Sequence, residues 1–434
     1  MPRIKISETE PQAFVSFDST ENSVLIPLYT LAKNKEDYNV MIPEKFTSVS
    51  AFRGKYNPDN VAKYLINSTD TEGVLDASYA MICELLNIGL PVVVMPILLA
   101  ESPEMGSEFS KYGVFESKES LIEDLNERIS SNNLYKIFSN KNLYNIKFIT
   151  SGAYPNLFFG EDSEKRVTTS GAYSVMLNAA AERGDALALV EFEDLDENSL
   201  LSKLSTNIFD AQAGKFGCAT YPAGLYTCPA SGTSKAVEMP GAFGYLMAFG
   251  NSVASNANWI AAAGVVRGYI PRLVKLNHSV GESTMHLLQG DDRSRSVSCF
   301  VNTIMEVGAY GTRLWGNRVL YKDSNVTVLP YSAFLNVRML ICDIKKQLYH
   351  SALRITFEPN DDIAWGNFKK LNNTLLDKMK SGRGIQWYRW SKVVTDQRAT
   401  IKAILTIKPI EAVEYFDLTV ALSDDDELIV TEEA

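Results

Sequence analysis

A helix that closes on glycine and runs straight into an unbroken apolar strand constrains this chain more than any other feature. Asp76 to Leu90 has helical spacing, with Ala77, Ala80, Met81, Leu85 and Leu86 on one side and Gly89 at its end. Pro91-Val92-Val93-Val94-Met95 follows directly. A strand that is apolar at every position must be covered on both faces, as in a parallel sheet between helix layers. The unit recurs. Glu119 to Ile129 is helical with Leu121, Leu125 and Ile129 in phase, and Tyr144 to Thr150 is a strand ending at Ser151-Gly152. Ser170 to Arg183 is an Ala-rich helix closed by Gly184, and Ala186 to Val190 is the next strand. Such alternation predicts a mostly parallel sheet with right-handed crossovers.

The pattern changes near Leu329-Pro330. Phe334 to Leu353 reads as a long helix with Val337, Leu340, Ile341, Ile344 and Leu348 as its buried stripe. A second helix carries Ile363, Trp365, Phe368, Leu371, Leu375 and Met379, capped by Asn360 or Asp361 and stopped at Ser381-Gly382. Two strands follow, Ile401 to Ile407 and Val413 to Leu422, the latter with Phe416, Leu418, Val420 and Leu422 on one face. The expected architecture is α/β with an α+β C-terminal domain: an arm over 1–20, an α/β domain over 21–329 that can be subdivided, a helix-and-sheet domain over 330–423, and a second arm over 424–434.

Both ends carry a short apolar strand with no partner in the sequence. Arg3-Ile4-Lys5-Ile6-Ser7 alternates, and Leu428-Ile429-Val430-Thr431 lies beyond the acidic run Asp424-Asp425-Asp426-Glu427. A strand this short is not stable alone. Two tethered strands of this kind suit addition to the sheet of a neighbouring subunit, because soluble monomers usually suppress free edges.

The chemistry of the chain is sparse. It has 434 residues, 42 basic and 52 acidic, a net charge of -10. That balance disfavours sequence-independent nucleic-acid binding, which needs a basic surface. The longest apolar run, Ile88 to Ala100, has 13 residues and two prolines, short of the about 20 needed to span a bilayer. The first eight residues lack the apolar region of a secretory signal, so folding in a cytoplasm is expected. Cys83, Cys218, Cys228, Cys299 and Cys342 form no C-x-x-C pair, and a buried reduced thiol is the reading for Cys83 and Cys342. No phosphate loop, G-x-G-x-x-G or nucleophile elbow occurs. His278 and His286 are eight apart, without the i, i+4 spacing of a helical metal pair, and a metal site using both with Glu282 is the minor alternative. Asp291-Asp292 reads as a solvated loop, and Asp361-Asp362 as a helix start where negative charge meets the dipole. Trp387-Tyr388-Arg389-Trp390 reads as an apolar surface packed on another protein. No catalytic residue, metal or cofactor is assigned.

Several of these residues resemble the tail sheath proteins of contractile bacteriophages and related contractile injection systems. Asn336-Val337-Arg338-Met339-Leu340, Asp343-Ile344-Lys345-Lys346, Phe357-Glu358-Pro359-Asn360-Asp361 and Trp365 match the family's N-V-R-R-L…I…F-E-P-N-D…W run in order and spacing. Ile407-Lys408-Pro409-Ile410-Glu411-Ala412-Val413-Glu414-Tyr415 resembles its K-P-x-x-A-V-E-F segment, and Trp315-Gly316-Asn317-Arg318-Val319-Leu320 its W-G-N-R-T-L segment. Tyr144 to Pro155, Arg183-Gly184-Asp185-Ala186 and Trp259 to Gly264 are similar to its central domain, with Ala262 where the family has Pro. The likeness covers roughly 140–425.

The resemblance implies a non-enzymatic subunit of a virion tail, assembled in the host cytoplasm without cofactor, nucleic acid or membrane insertion. It implies hexameric rings stacked as a six-start helical tube around a tail tube protein, ended by baseplate and tail terminator proteins. Contraction from a metastable extended state would drive the tube through the host envelope. The N-terminal arm (Arg3, Ile4, Lys5, Ile6, Ser7) and the C-terminal arm (Leu428, Ile429, Val430, Thr431) would add strands to a neighbour's sheet, received by Ile401, Ala403, Leu405, Ile407, Phe416, Leu418 and Val420. A sheath of a bacteriocin or extracellular injection system is the near alternative. An α/β hydrolase-type enzyme and a monomeric binding module are the distant ones.

Overall fold

The computed structural model describes residues 20–31, 42–56, 76–99, 118–131, 141, 143–153, 159–161, 167–169, 171–190, 196–205, 214–289, 300–320, 330–394 and 400–413. The large sheet contains β1 (Val24–Leu31), β2 (Glu44–Phe46), β3 (Val92–Leu99), β4 (Phe148–Ile149), β5 (Leu187–Val190), β6 (Gly217–Tyr221), β7 (Asn302–Glu306) and β8 (Thr312–Trp315). Their order is β8-β7-β6-β5-β4-β1-β3-β2. The six inner strands pair in parallel, and β2 and β8 run antiparallel at the two edges. This is the mostly parallel α/β sheet that the apolar runs predict.

Alternation along the strands builds two cores. Val24, Ile26 and Leu28 of β1 enter one core, and Leu25 and Tyr29 enter the other. The first face is covered by α1 (Ala77–Asn87), whose N-cap Asp76 accepts the Ser78 amide, and by a later Gly-rich helix over Gly241–Val253. The second face is covered by helices Lys118–Ser131 and Gly171–Arg183. Each buried aliphatic side chain contributes roughly 1.5–3 kcal/mol, so a sheet buried on both faces is the main source of stability. Gly241 opens its helix against β6: a Cβ there would stand 2.1 Å from the Thr220 carbonyl oxygen, so only glycine allows the approach. Among the described residues, the strand expected over Tyr144–Thr150 is confined to Phe148–Ile149.

Two helices and a hairpin follow the α/β body: α2 (Leu335–Ile355), α3 (Asp362–Ser381), β9 (Ile385–Val393) and β10 (Lys402–Pro409). They enclose a third, smaller core of Trp259, Leu340, Ile344, Leu376, Met379 and Ile385. Leu335 and Met339, in the first turns of α2, belong instead to the core of the body. The long helix therefore contributes to both the first and the third core.

Candidate assembly surface

The hairpin is the element on which the expected strand addition depends. β9 and β10 pair antiparallel, with Tyr388 opposite Ile407, Trp390 opposite Leu405 and Lys392 opposite Ala403. Ala403, Leu405 and Ile407 lie on the half-buried face toward the helices, while Lys402, Ile404, Thr406 and Lys408 are exposed. Ile401 sits just before the strand and is half-buried. Among the described residues this sheet has two strands, so each strand offers one open edge. The aromatic run Trp387–Trp390, expected as a surface patch, is part of β9 instead. The structure makes that run the partner of Ile401–Ile407, with Trp390 turned inward and Trp387 outward. Arg3, Ile4, Lys5, Ile6, Ser7, Phe416, Leu418, Val420, Leu428, Ile429, Val430 and Thr431 lie outside the described residues.

Beneath the hairpin, between the end of α2 and the start of α3, runs a mostly apolar groove of about 840 Å³. Leu348, Ala352, Phe368, Trp390, Ala403 and Leu405 line it. Trp365, Phe368 and Trp390 form an aromatic triad along it, with ring centroids 5.8–5.9 Å apart. Asp361 caps α3 by accepting the Ala364 amide at 2.9 Å. Phe357, fully exposed, occupies the loop between the helices in the left-handed region, with φ 76°.

The root of α2 is a polar clamp. Phe334 at its N-cap supplies no side-chain bond, and a helix start leaves its first amides without internal partners. Asn317 serves them from outside. Its carbonyl accepts the Leu335 amide at 3.0 Å and its Oδ1 accepts the Asn336 amide at 3.1 Å. Its Nδ2 donates to Asn336 Oδ1 at 2.8 Å, and Asn336 Nδ2 donates to the Trp259 carbonyl at 3.3 Å. The Arg318 guanidinium stacks 4.6 Å from the Phe334 ring centre and that of Arg338 4.9 Å from Phe216. Two turns on, Asp343 pairs with Lys147 of the body, both fully buried. Asn258 Nδ2 donates to Asp343 at 3.3 Å and to the Thr20 carbonyl at 2.6 Å. Burial pushes the Asp343 carboxyl up, and the Lys147 charge opposes that shift. Trp259 completes the joint: its indole donates to the Gly382 carbonyl at 2.9 Å, at the end of α3.

No protein-family model matches the sequence, and no curated protein does. Solved structures do. The sheath complex of an extracellular contractile injection system, PVC, in its contracted state aligns over 98% of this chain and 98% of its own, with a TM-score of 0.60 and 12% identity. This chain has a contractile-sheath fold. The helical sheath of the anti-feeding prophage in its contracted state aligns with a TM-score of 0.56 and 15% identity, covering 98% of this chain and 99% of that one. A chain of the anti-feeding prophage baseplate in its contracted state gives 0.59 and 17% over the same shares.

Within the sheath fold, two of the segments that carry the sequence likeness meet at the clamp, while Asp361 and Trp365 lie at the start of α3 and in the groove. Asn317 and Arg318, Asn336 and Arg338, and Asp343 all join α2 to the body. The segments Trp315–Leu320 and Asn336–Lys346 are one structural feature, seen twice in the sequence. Of the positions weighed for enzymatic chemistry, His278, Glu282 and His286 are among the described residues. His278 stacks on Tyr221, and His286 is exposed at the end of the helix that Glu282 begins. Asp291 and Asp292 lie outside the described residues. Among the described residues no group of three His, Cys, Asp or Glu side chains could hold a metal ion. No described helix is long and apolar enough to cross a membrane. Cys83, Cys218, Cys228 and Cys342 are buried free thiols.

The clamp also contains a titratable misfit. Lys346 is buried and donates to Asn145 Oδ1 at 2.8 Å. Burial lowers its pKa from 10.5 to about 8; Lys147 and Arg183 add to the lowering, and Asp185 and Asp343 oppose it. The unfolded chain holds that proton more tightly, so this group's destabilising effect is full below pH 8 and fades as pH rises to 10.5. Lys346→Met is therefore expected to raise stability near pH 7 by up to about 3 kcal/mol. The gain over the parent should shrink between pH 8 and 10.5, as read by urea unfolding across that range.

Proposed function

We propose that the chain is a sheath subunit that polymerises into a contractile helical tube around an inner tail tube. Subunits form hexameric rings stacked as a six-start helix, and contraction from a metastable extended state drives the inner tube through a target envelope. The observation that carries this reading is the full-length match of the chain to sheath structures, together with a hairpin whose two edges are open among the described residues. An open edge offers unpaired backbone donors and acceptors to another chain. The arms, Arg3–Ser7 and Leu428–Thr431, supply the strands that fill the edges of a neighbour's hairpin, with alternate side chains of each strand turned toward the groove under it. The backbone ladders then hold neighbours together while whole subunits rotate. The energy is stored at assembly, so no nucleotide is consumed and the role is structural rather than enzymatic.

Bacteriophage tails and extracellular injection systems are both settings for such a subunit. The PVC and anti-feeding prophage neighbours favour the second, and the genes flanking its own would separate the two. Baseplate and terminator proteins would close the ends of the tube, with assembly in the producing cell's cytoplasm. The test is electron microscopy of the purified chain. Long tubes or stacked rings are expected, and persistent monomers at high concentration would contradict the reading.

A further inference from the structure

The hairpin has a second face, turned away from the helices. The register places Trp387 opposite Lys408, Arg389 opposite Thr406, Ser391 opposite Ile404 and Val393 opposite Lys402 on it. Arg389, Lys402 and Lys408 are exposed, and Trp387 and Ile404 expose 45% and 55% of their surface beside them. Neither strand contains an Asp or a Glu. Among the described residues none of these three cations pairs with a carboxylate, in a chain with 52 acidic residues against 42 basic ones. The cations form a stripe: Lys402 and Lys408 are six residues apart, about 20 Å along a strand.

The longest unbroken acidic run in the chain is Asp424-Asp425-Asp426-Glu427. It spans about 13 Å when extended and immediately precedes the apolar Leu428–Thr431. We propose that the outward face of the β9–β10 hairpin is the receptor for this acidic run of a second copy, an inference that rests on the strand-adding reading above. The run lies across Arg389, Lys402 and Lys408, and so sets which neighbour's arm is accepted and in which direction. Attraction of this kind chiefly fixes register and orientation. A second copy is the occupant because the chain's own exit leads elsewhere. Past β10 the Ile410 amide donates to the Gly384 carbonyl at the hairpin base, and Ala412 and Val413 lie against the body beside Trp315 and Arg318. From Val413 to Asp424 the chain can reach about 35–40 Å, enough to leave its own subunit.

The test uses the full chain. The critical concentration for assembly should rise steeply with NaCl, because the charges are exposed and screened. The triple variant R389E/K402E/K408E should fold with an unchanged urea midpoint, yet need at least about tenfold more protein to assemble at 0.1 M salt. Adding D424K/D425K/D426K to it should restore assembly, which a merely misfolded variant could not do. Mixing Arg389→Cys with Asp425→Cys chains should give an oxidised dimer holding one of each. Assembly insensitive to the reversal, failure of the swap to restore it, or a disulfide formed only within one chain carrying both cysteines would each overturn the proposal. The first of these would leave the sheath reading standing. A parent chain that never assembles would overturn both.

Discussion

Replacing Asp343 with alanine is expected to cost about 3–5 kcal/mol of stability, because it strands the Lys147 ammonium without its carboxylate in a fully buried site. Both side chains have no exposed surface, so water cannot take the place of the lost partner. The loss also frees an Asn258 amide hydrogen that the carboxylate accepts. The same reasoning predicts that replacing both partners with apolar residues of similar volume, as in K147M/D343L, recovers most of the loss, since a buried ion pair is a weak source of net stability. Urea unfolding of the two variants separates the cases. Equal destabilisation by the single and the double change would mean that the pair itself, rather than an orphaned charge, holds the clamp.

The second large effect concerns assembly rather than folding. Deleting residues 1–10 or 427–434 is expected to leave a folded, soluble subunit that no longer forms a connected tube. Among the described residues the three cores are drawn from Val24 to Ile407, and both deletions lie outside that range. Each deletion removes a segment of four or five residues that is proposed to bridge two subunits as an added strand and is too short to be a stable strand alone. The unfolding midpoint should therefore hardly move while electron microscopy shows single subunits or loose rings. Unchanged tubes after either deletion would falsify the arm assignment.

The sequence carries the α/β body clearly, and the reason is local. Val92, Val93 and Val94 are all apolar because both faces of β3 are buried, and that is visible without knowing the partner strand. The cap of α3 was legible to within one residue, Asn360 or Asp361, because a helix cap acts within its own turn, and the structure makes it Asp361. What was hidden depends on residues far apart in the chain. The strand expected over Tyr144–Thr150 is short, and Lys147 just before it is buried on Asp343, 196 positions away. Asn317 caps a helix that begins 18 residues later, a role no local pattern announces. β9 escaped because Trp387 and Trp390 face opposite ways, so the aromatic run looks like one sticky patch rather than an alternating strand. The likeness of the Trp315–Leu320 and Asn336–Lys346 segments to sheath proteins was readable as two separate motifs. Only the structure makes them a single joint at the root of α2.

The joint also bears on how such a subunit could work. Trp259, Asn336 and Asp343 bind the long helix to the body, while the hairpin of the third core has two open edges among the described residues. In the proposed assembly such a subunit would move as one piece and share its hairpin with neighbours. The most direct test is a reconstruction of the assembled tube at a resolution that separates β-strands. A strand from a neighbouring copy is expected on each open edge of the β9–β10 hairpin, one from Arg3–Ser7 and one from Leu428–Thr431. A connected tube in which both hairpin edges stay bare would contradict it.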